Sequence, residues 1–425
     1  MVDQTHIYNL KAVMLEVGLS AATLRAWERR YGLLKPQRSP GGHRLYSRQD
    51  IEMLKWLVER QNEGVSISQA VEMWKTLYEG GTHAPAVEIS TGEAMLDELR
   101  DRWITACANF DDQAANRTLN QAFASAAPET ICTEVLQKGL AKIGEGWYSG
   151  SNSVQQEHFA SAIAIRRLDN LLAAVTPPTR PGHLLAACPP GEEHDFALLM
   201  VTYLLRRSGW DVVYLGSNVP LTDLDSTIQS TQPTLIISAA QTLESAASLR
   251  KMSEFLQSQQ VPLAFGGGIF LQAPESIHSI SGYYLGDNIA MISDMVERLV
   301  TTPPAMHTAP SISLEYAQTL DKFNHNQTLV IHKVAAAMQS ISIKPAHLEI
   351  ANTNLTHMIG SALMLGNINL LDHSIAWLNG LLENHGLSQS GTVQFYAAYQ
   401  KGIESVFGEE GTMIRDWLSK LQHHA

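Results

Sequence analysis

The sequence predicts a multidomain protein with α and α/β parts, and three observations carry that prediction. At 425 residues the chain is too long for one compact core. Breaks rich in Pro, Gly and Thr at 79–92 (EGGTHAPAVEISTG), 176–182 (TPPTRPG) and 301–310 (TTPPAMHTAP) cut it into four segments, because consecutive prolines cannot continue a helix. Only the third segment alternates short apolar runs with helix-length stretches, while the others keep helical spacing.

Residues 1–78 read as a helical head interrupted around Pro36–Gly42. Residues 93–175 read as a four-helix bundle with breaks near Asp111, Pro128 and Gly150–Asn152. Residues 183–300 hold candidate strands at 183–188, 212–216, 235–240, 262–267 and 283–286. Most neighbouring strands are a helix apart, the pattern of a parallel, Rossmann-like (flavodoxin-like) sheet with helices on both faces. Residues 311–425 read as an all-α domain broken at Pro345, Gly366, Gly386–Gly391 and Gly408–Gly411.

Composition narrows the function classes. No run of eighteen apolar residues exists to span a bilayer, so no membrane partner is expected. The first residues lack a basic stretch followed by an apolar one, and Cys107, Cys132 and Cys188 show neither metal spacing nor a disulfide framework. The expectation is a cytoplasmic protein. The net charge is −12, yet residues 1–78 carry 11 Lys/Arg against 8 Asp/Glu. A mildly basic head on an acidic body points to the head as the part that meets phosphate.

In the head, Lys11–Val17 predicts a short helix, Gly18–Leu19 a turn, and Ser20 an N-cap for a second helix running to Tyr31. Arg25 and Arg29 are four apart and share a face of that helix. Beyond it, Pro40-Gly41-Gly42 makes a turn flanked by Arg38, His43, Arg44 and Tyr46, a hairpin suited to gripping phosphate. Any one of these arginines is equally compatible with a solvated surface. The combined string TLRAWERRYGLLKP…GGHRLYS, however, closely resembles the winged helix-turn-helix of the MerR family. The resemblance implies that Thr23, Arg25, Glu28 and Arg29 face operator DNA from a recognition helix, with Arg38, His43, Arg44 and Tyr46 contacting it from a wing.

In the third segment, PPGEEHD (189–195) follows the first strand, where open α/β sheets place their ligands. His194 is a candidate metal ligand, and Glu192 is placed to accept its other ring N–H. A loop histidine alone is equally compatible with plain solvation. With GEEHDFALLMVTYLLRRSGWDVVYLGSNVP, ISAA and AFGGG around it, the segment resembles cobalamin-binding domains that hold cobalt through a protein histidine. By that resemblance His194 is the lower axial ligand, Ser238 bonds the displaced nucleotide tail, and Gly266 and Gly267 leave room for the tail. The chain departs from the family pattern in Glu192 for Asp, Ala197 for Gly and Ala240 for Leu.

The bundle before it holds Trp147, then nine residues, then Glu157-His158. This resembles the cap of CarH and LitR photoreceptors. Trp147 and Val154 would then shield the upper corrin face, Glu157 would bond the adenosyl ribose, and His158 would support the pocket. The implied protein is a light-responsive transcriptional regulator with adenosylcobalamin as chromophore. Photolysis would shift a homo-oligomer, dimer or tetramer, and loosen its hold on DNA. Many such receptors keep a histidine beside the cap tryptophan. Here Tyr148 follows it, a phenol with an ordinary pKa of about 10 and a weaker cobalt ligand than imidazole, so solvent is expected above the cobalt after light.

The last segment carries His325, His332, His347, His357, His373 and His385 with Trp377, Phe395, Tyr396 and Tyr399. Its strings LLDHSIAWLNGLLENHGL and FYAAYQKGIESVFGEEGTMIRDWL resemble the helical domain of photocobilins, which implies biliverdin as a second chromophore. Two other readings stay open. One is a MerR-type regulator that senses cobalamin or another small molecule without light. The other is a cobalamin-dependent methyltransferase or mutase subunit, which would leave the head unexplained.

Overall fold

In the computed structural model the described residues are 8–17, 19, 23–25, 27, 34, 37–38, 44–62, 67, 71, 91–148, 151–339, 344–384 and 387–424. The chain divides into two units, residues 1–91 and 92–425.

In the first unit Tyr8–Asn9 (β1), Gln37–Arg38 (β2) and Arg44–Tyr46 (β3) form an antiparallel sheet in the order β1-β3-β2. Tyr8 lies opposite Tyr46, and Arg38 opposite Arg44. Helices Leu10–Val17 (α1) and Arg48–Asn62 (α2) cover it, and residues 23–25 and 27 are helical. Ser47 and Asp50 start α2 reciprocally: Asp50 accepts the Ser47 N–H at 2.8 Å, and the Ser47 hydroxyl accepts the Asp50 N–H at 3.1 Å. The two-residue β1 is too short to leave a period in the sequence and was not expected.

The second unit begins with the expected bundle. Its helices are Thr91–Ala108 (α3), Asp112–Ser125 (α4), Pro128–Ile131 (α5), Lys138–Tyr148 (α6) and Val154–Ala173 (α7). A π-helical turn, Cys132–Gln137, joins α5 to α6 into one rod, so four rods result with breaks where they were expected. A π-turn widens the ladder, and the Arg100 guanidinium donates to the Glu134 carbonyl inside it at 3.2 Å.

Five parallel strands follow: His183–Ala187 (β4), Asp211–Gly216 (β5), Leu235–Ala239 (β6), Leu263–Gly266 (β7) and Tyr283–Tyr284 (β8). Their order, β5-β4-β6-β7-β8, is the flavodoxin-like arrangement the sequence predicts. The connecting helices are Phe196–Arg207 (α8), Leu224–Thr231 (α9), Leu243–Ser258 (α10), Gly268–Gln272 (α11) and Ile292–Thr301 (α12).

Alternation along the strands splits the apolar residues into two cores. Leu184, Ala186, Leu235, Ile237 and Ala239 join the core that contains the bundle, α8 and α12. Leu185, Ala187, Ile236 and Ala240 join the opposite core, with α10 and the C-terminal helices. Those are Leu314–Ala337 (α13), Pro345–Leu365 (α14), Asp372–Asn384 (α15), Gln389–Phe407 (α16) and Thr412–His424 (α17), with α14 packed on α10 and α15 touching α6. The interior of this domain is filled by Phe323, Phe395, Tyr396, Tyr399 and Trp417. Tyr399 and Thr356 share a hydrogen bond of 2.7 Å, Tyr396 donates to Asn379 at 2.6 Å, and Trp417 donates to Asp372 at 2.8 Å. Among the described residues no helix is long and apolar enough to cross a membrane.

Arg250 on α10 fixes the entry to the C-terminal domain. Nearly buried, it donates to the Pro310 carbonyl at 2.8 Å and the Ser279 carbonyl at 3.2 Å. Arg250→Met leaves both acceptors unpaired, and the expected loss is about 1–3 kcal/mol of stability in chemical denaturation. An unchanged midpoint and slope would show that water replaces the guanidinium without loss.

Candidate functional site

The loop after β4 is built around one buried carboxylate. The Glu192 side chain is 1% exposed, while the His194 side chain is 65% exposed. Glu192 Oε1 accepts from the His194 backbone N–H at 2.8 Å and lies 2.8 Å from its Nδ1, and Glu192 Oε2 accepts from the Gln241 N–H at 2.6 Å. Burial alone would raise the Glu192 pKa, but hydrogen bonds from His194, Ser245 and Gln241 outweigh it and hold the carboxylate ionised. The His194 ring is drawn to a higher pKa chiefly by its bond to Glu192, against the effect of its own burial. With Nδ1 engaged, Nε2 is the ring atom left to bind a metal.

Asn218, beyond β5, completes the loop. Its backbone takes the left-handed region at φ 51°, and its side-chain oxygen accepts from the Gly191 N–H at 2.9 Å. Its own N–H donates to the Glu192 carbonyl at 2.8 Å, and its side-chain amide donates to Glu193 at 2.8 Å. Tyr214 on β5 donates to Asp195 at 2.8 Å, closing the other end of the loop. Asn218 and Tyr214 were not singled out from the sequence. Their position at the carboxyl end of β5 was the available signal.

The glycine wall is equally constrained. Gly267 has φ +123°, and a Cβ there would lie 2.0 Å from the Ala240 carbonyl oxygen. No larger residue fits. A Cβ on Gly266 would meet nothing within 4 Å, so the strand end borders open space. Ser238 is 1% exposed, on the strand face that packs on Met252.

The first turn of α7 brings the bundle to this edge. Ser153 and Gln156 form a capping box, and the Gln156 side chain donates to the Ala108 carbonyl at 2.6 Å, tying α7 to the end of α3. Val154 is 40% exposed, Glu157 half-buried and His158 exposed. Ser161 donates to Glu157 at 2.6 Å, and the Glu157 carboxylate lies near enough to His194 to help raise its pKa. Trp147 and Tyr148 end α6, and their side chains lie outside what the structure describes.

Among the described residues, no three His, Cys, Asp or Glu side chains gather to hold a bare ion. A corrin supplies four nitrogens itself, so one imidazole such as His194 suffices for its cobalt. The site fits that group: a free imidazole nitrogen, a glycine wall bordering open space, and a bundle edge carrying Val154 and Glu157. Burial pushes the thiols of Cys107 and Cys132 up to about 12 and that of Cys188 further, so none is a thiolate ligand at neutral pH.

In the head, Leu24 and Trp27 enter the core at helical spacing, leaving Arg25 exposed and Thr23 half-buried. Arg38 and Arg44 face each other across the hairpin, with Arg44 half-buried. Glu28, Arg29 and His43 lie outside the described residues, as does the Arg38 side chain. Tyr46 is a correction. It was expected to contact DNA, but it is 0% exposed, because β3 runs straight into α2 and turns the ring into the head's core.

Comparison with known proteins agrees with this geometry. The model for MerR HTH family regulatory proteins matches residues 8–77, and two models described as B12 binding domain match residues 99–172 and 182–287. A DNA-binding regulator with a cobalamin-binding body is the class these define. The transcriptional repressor CarH of Myxococcus xanthus is 34% identical over 238 residues, covering 56% of this chain and 79% of that protein. The repressor CarA of the same organism is 31% identical over 229 residues, covering 53% and 74%. The regulator MlrA of Escherichia coli is 44% identical over 63 residues, covering 15% and 26%. The chain belongs to the CarH family of MerR-type, cobalamin-binding transcriptional regulators. It is a regulator rather than an enzyme.

Glu192→Gln should lower the His194 pKa in the cofactor-free protein, because both the hydrogen-bond acceptor charge and its field are reduced. The check is an NMR titration of the imidazole. A value no lower than wild type breaks the pairing described here.

Proposed function

We propose that this regulator responds to light, with adenosylcobalamin as its chromophore, by changing its oligomeric state and its grip on operator DNA. The observation that carries the reading is the Glu192–His194 pair at the sheet's carboxyl edge, with the Glu157 end of the bundle facing it. Adenosylcobalamin supplies a cobalt–carbon bond that visible light can break.

The chain's own residues do the rest. His194 would offer Nε2 to the cobalt, while Glu192 holds its Nδ1–H and fixes the tautomer. From the bundle, Trp147 and Val154 would shield the bound group, Glu157 would bond its adenosyl ribose, and His158 would support that pocket. Ser238, Gly266 and Gly267 receive the nucleotide tail. Without an adenosyl group the bundle would be free to shift against the sheet, which would alter the surface two copies share. In the head, Thr23, Arg25, Glu28, Arg29, Arg38, His43 and Arg44 meet DNA, and several linked heads bind more tightly than one. Such a protein works in the cytoplasm, where its operator is.

The test uses full-length protein loaded with adenosylcobalamin in the dark. Illumination should change the absorption spectrum, the mass in light scattering and operator affinity together. His194→Ala should lose the spectrum of histidine-bound cobalt. A loaded protein whose DNA binding and mass ignore light would leave a cobalamin sensor that does not use light.

A second reading concerns the C-terminal domain, as a site for a linear tetrapyrrole such as biliverdin. Its interior is filled by its own aromatic side chains, so the favoured location is the junction where α15 meets α6. On α15, His373 lies 2.7 Å from Glu275 in the segment Pro274–Ser279, and Trp377 is half-buried. Biliverdin should give a red-absorbing band that survives gel filtration and is lost in Trp377→Ala. No retained band assigns this domain to packing alone.

A further inference from the structure

We propose that the helical bundle is hinged on the sheet at the edge remote from the cofactor, with residues 174–178 as the hinge and the Glu129–Arg207 pair as its clasp. Its use in the light response rests on the reading above, while the hinge itself belongs to the bare protein. Chain direction defines the two edges. At the carboxyl ends of the strands, α8 begins just after His194, and α7 begins with Val154. Both helices end at the opposite edge, where α7 leads through residues 174–182 into His183, the first residue of β4.

Directional links gather at that remote edge. Arg207, the last residue of α8, pairs with Glu129 of α5 at 2.5 Å. The Thr179 and Arg180 N–H groups both donate to the Gly209 carbonyl at 2.9 Å, and the Arg180 guanidinium donates to the Ser208 carbonyl at 2.7 Å. Arg180 also pairs with Glu297 of α12 at 2.9 Å and lies over the Trp210 ring. Residues 179–180 are therefore fixed to the sheet. The joint is left to 174–178, where Pro177 and Pro178 restrict turning to the few bonds before them. The cofactor end is held differently. There the side chains of Val154, Glu157 and His158 make no hydrogen bond to the sheet domain among the described residues, and Glu157 bonds Ser161 of its own helix. What crosses is the packing of α7 on α8, which has no preferred direction and lets one surface turn on the other. A body tied at one edge and packed at the other turns about the tied edge. Gln155 lies about 27 Å along α7 from Ala173 and Asn170 about 5 Å, so a turn moves Gln155 about sixfold farther. With side chains 47% and 37% exposed, the Arg207–Glu129 pair is weak, so it favours one bundle position without fixing it.

Spin-label distances in the full-length protein test the hinge. Cys107, Cys132 and Cys188 are buried, so labels go to introduced cysteines. Gln155→Cys with Thr222→Cys spans the cofactor end, and Asn170→Cys with Ser258→Cys spans the remote edge, all at exposed positions. In cofactor-free protein, Glu129→Gln or Arg207→Gln should broaden the first distance distribution about sixfold more than the second. Exchanging the charges, Glu129→Arg with Arg207→Glu, should bring back the wild-type width. Equal broadening at both ends would show a bundle that slides as a whole, and no broadening would show that the pair holds nothing. Either outcome overturns the proposal. Protein loaded with adenosylcobalamin is then measured in the dark and after illumination. The first distance should change and the second should hold, and a change in the second as large as in the first also overturns the hinge. Distances that ignore light, where the cofactor-free variants behave as expected, would overturn the light reading and leave the hinge standing.

Discussion

A carboxylate withdrawn from water has to be met by donors, and the loop after β4 is organised around that demand. Glu192 is 1% exposed and ionised, and its two oxygens collect the His194 N–H, the His194 ring and the Gln241 N–H. Meeting the demand draws the ends of β4 and β6 together and pins one imidazole with its outer nitrogen free. Asn218 brings in β5 through the same loop backbone. Three strand ends therefore converge on one imidazole, which the protein holds by itself. A preset ligand loses little freedom on binding.

The sheet transmits that site to the rest of the second unit through its two faces. Strands apolar on both sides need a cover on each. The bundle supplies one and the C-terminal domain the other. The bundle is thus both half of the core and one wall of the cofactor cleft, and what moves its first α7 turn disturbs packing as well as the cleft. The C-terminal domain packs on α10 and also touches α6, the helix that carries Trp147 in its last turn. A continuous path of packed elements links that domain to the cap.

The head answers to a different constraint. With an excess of three positive charges in residues 1–78 against a net charge of −12 overall, it is the part suited to meet a polyanion. Its small core is closed by Leu24, Trp27 and Tyr46. The tyrosine illustrates how motif and burial diverge: its position beside the hairpin arginines suggested a contact residue, and the strand-to-helix junction claimed it for packing.

Sequence by itself determined the five strands with their helical crossovers and the pairing of Glu192 with His194. Those signals are local: proline breaks, period, and a charged loop straight after an apolar strand. Tertiary structure alone decided which face of the sheet each cover takes, because that depends on pleat direction along β4 and β6. It also decided the π-turn at Cys132–Gln137, inside which a distant arginine, Arg100, donates to the Glu134 carbonyl. The roles of Asn218 and Gln241 belong to the same class. Each acts on a loop from another strand, 27 residues from Gly191 in one case and 49 from Glu192 in the other, and no local pattern records a partner that only folding brings near.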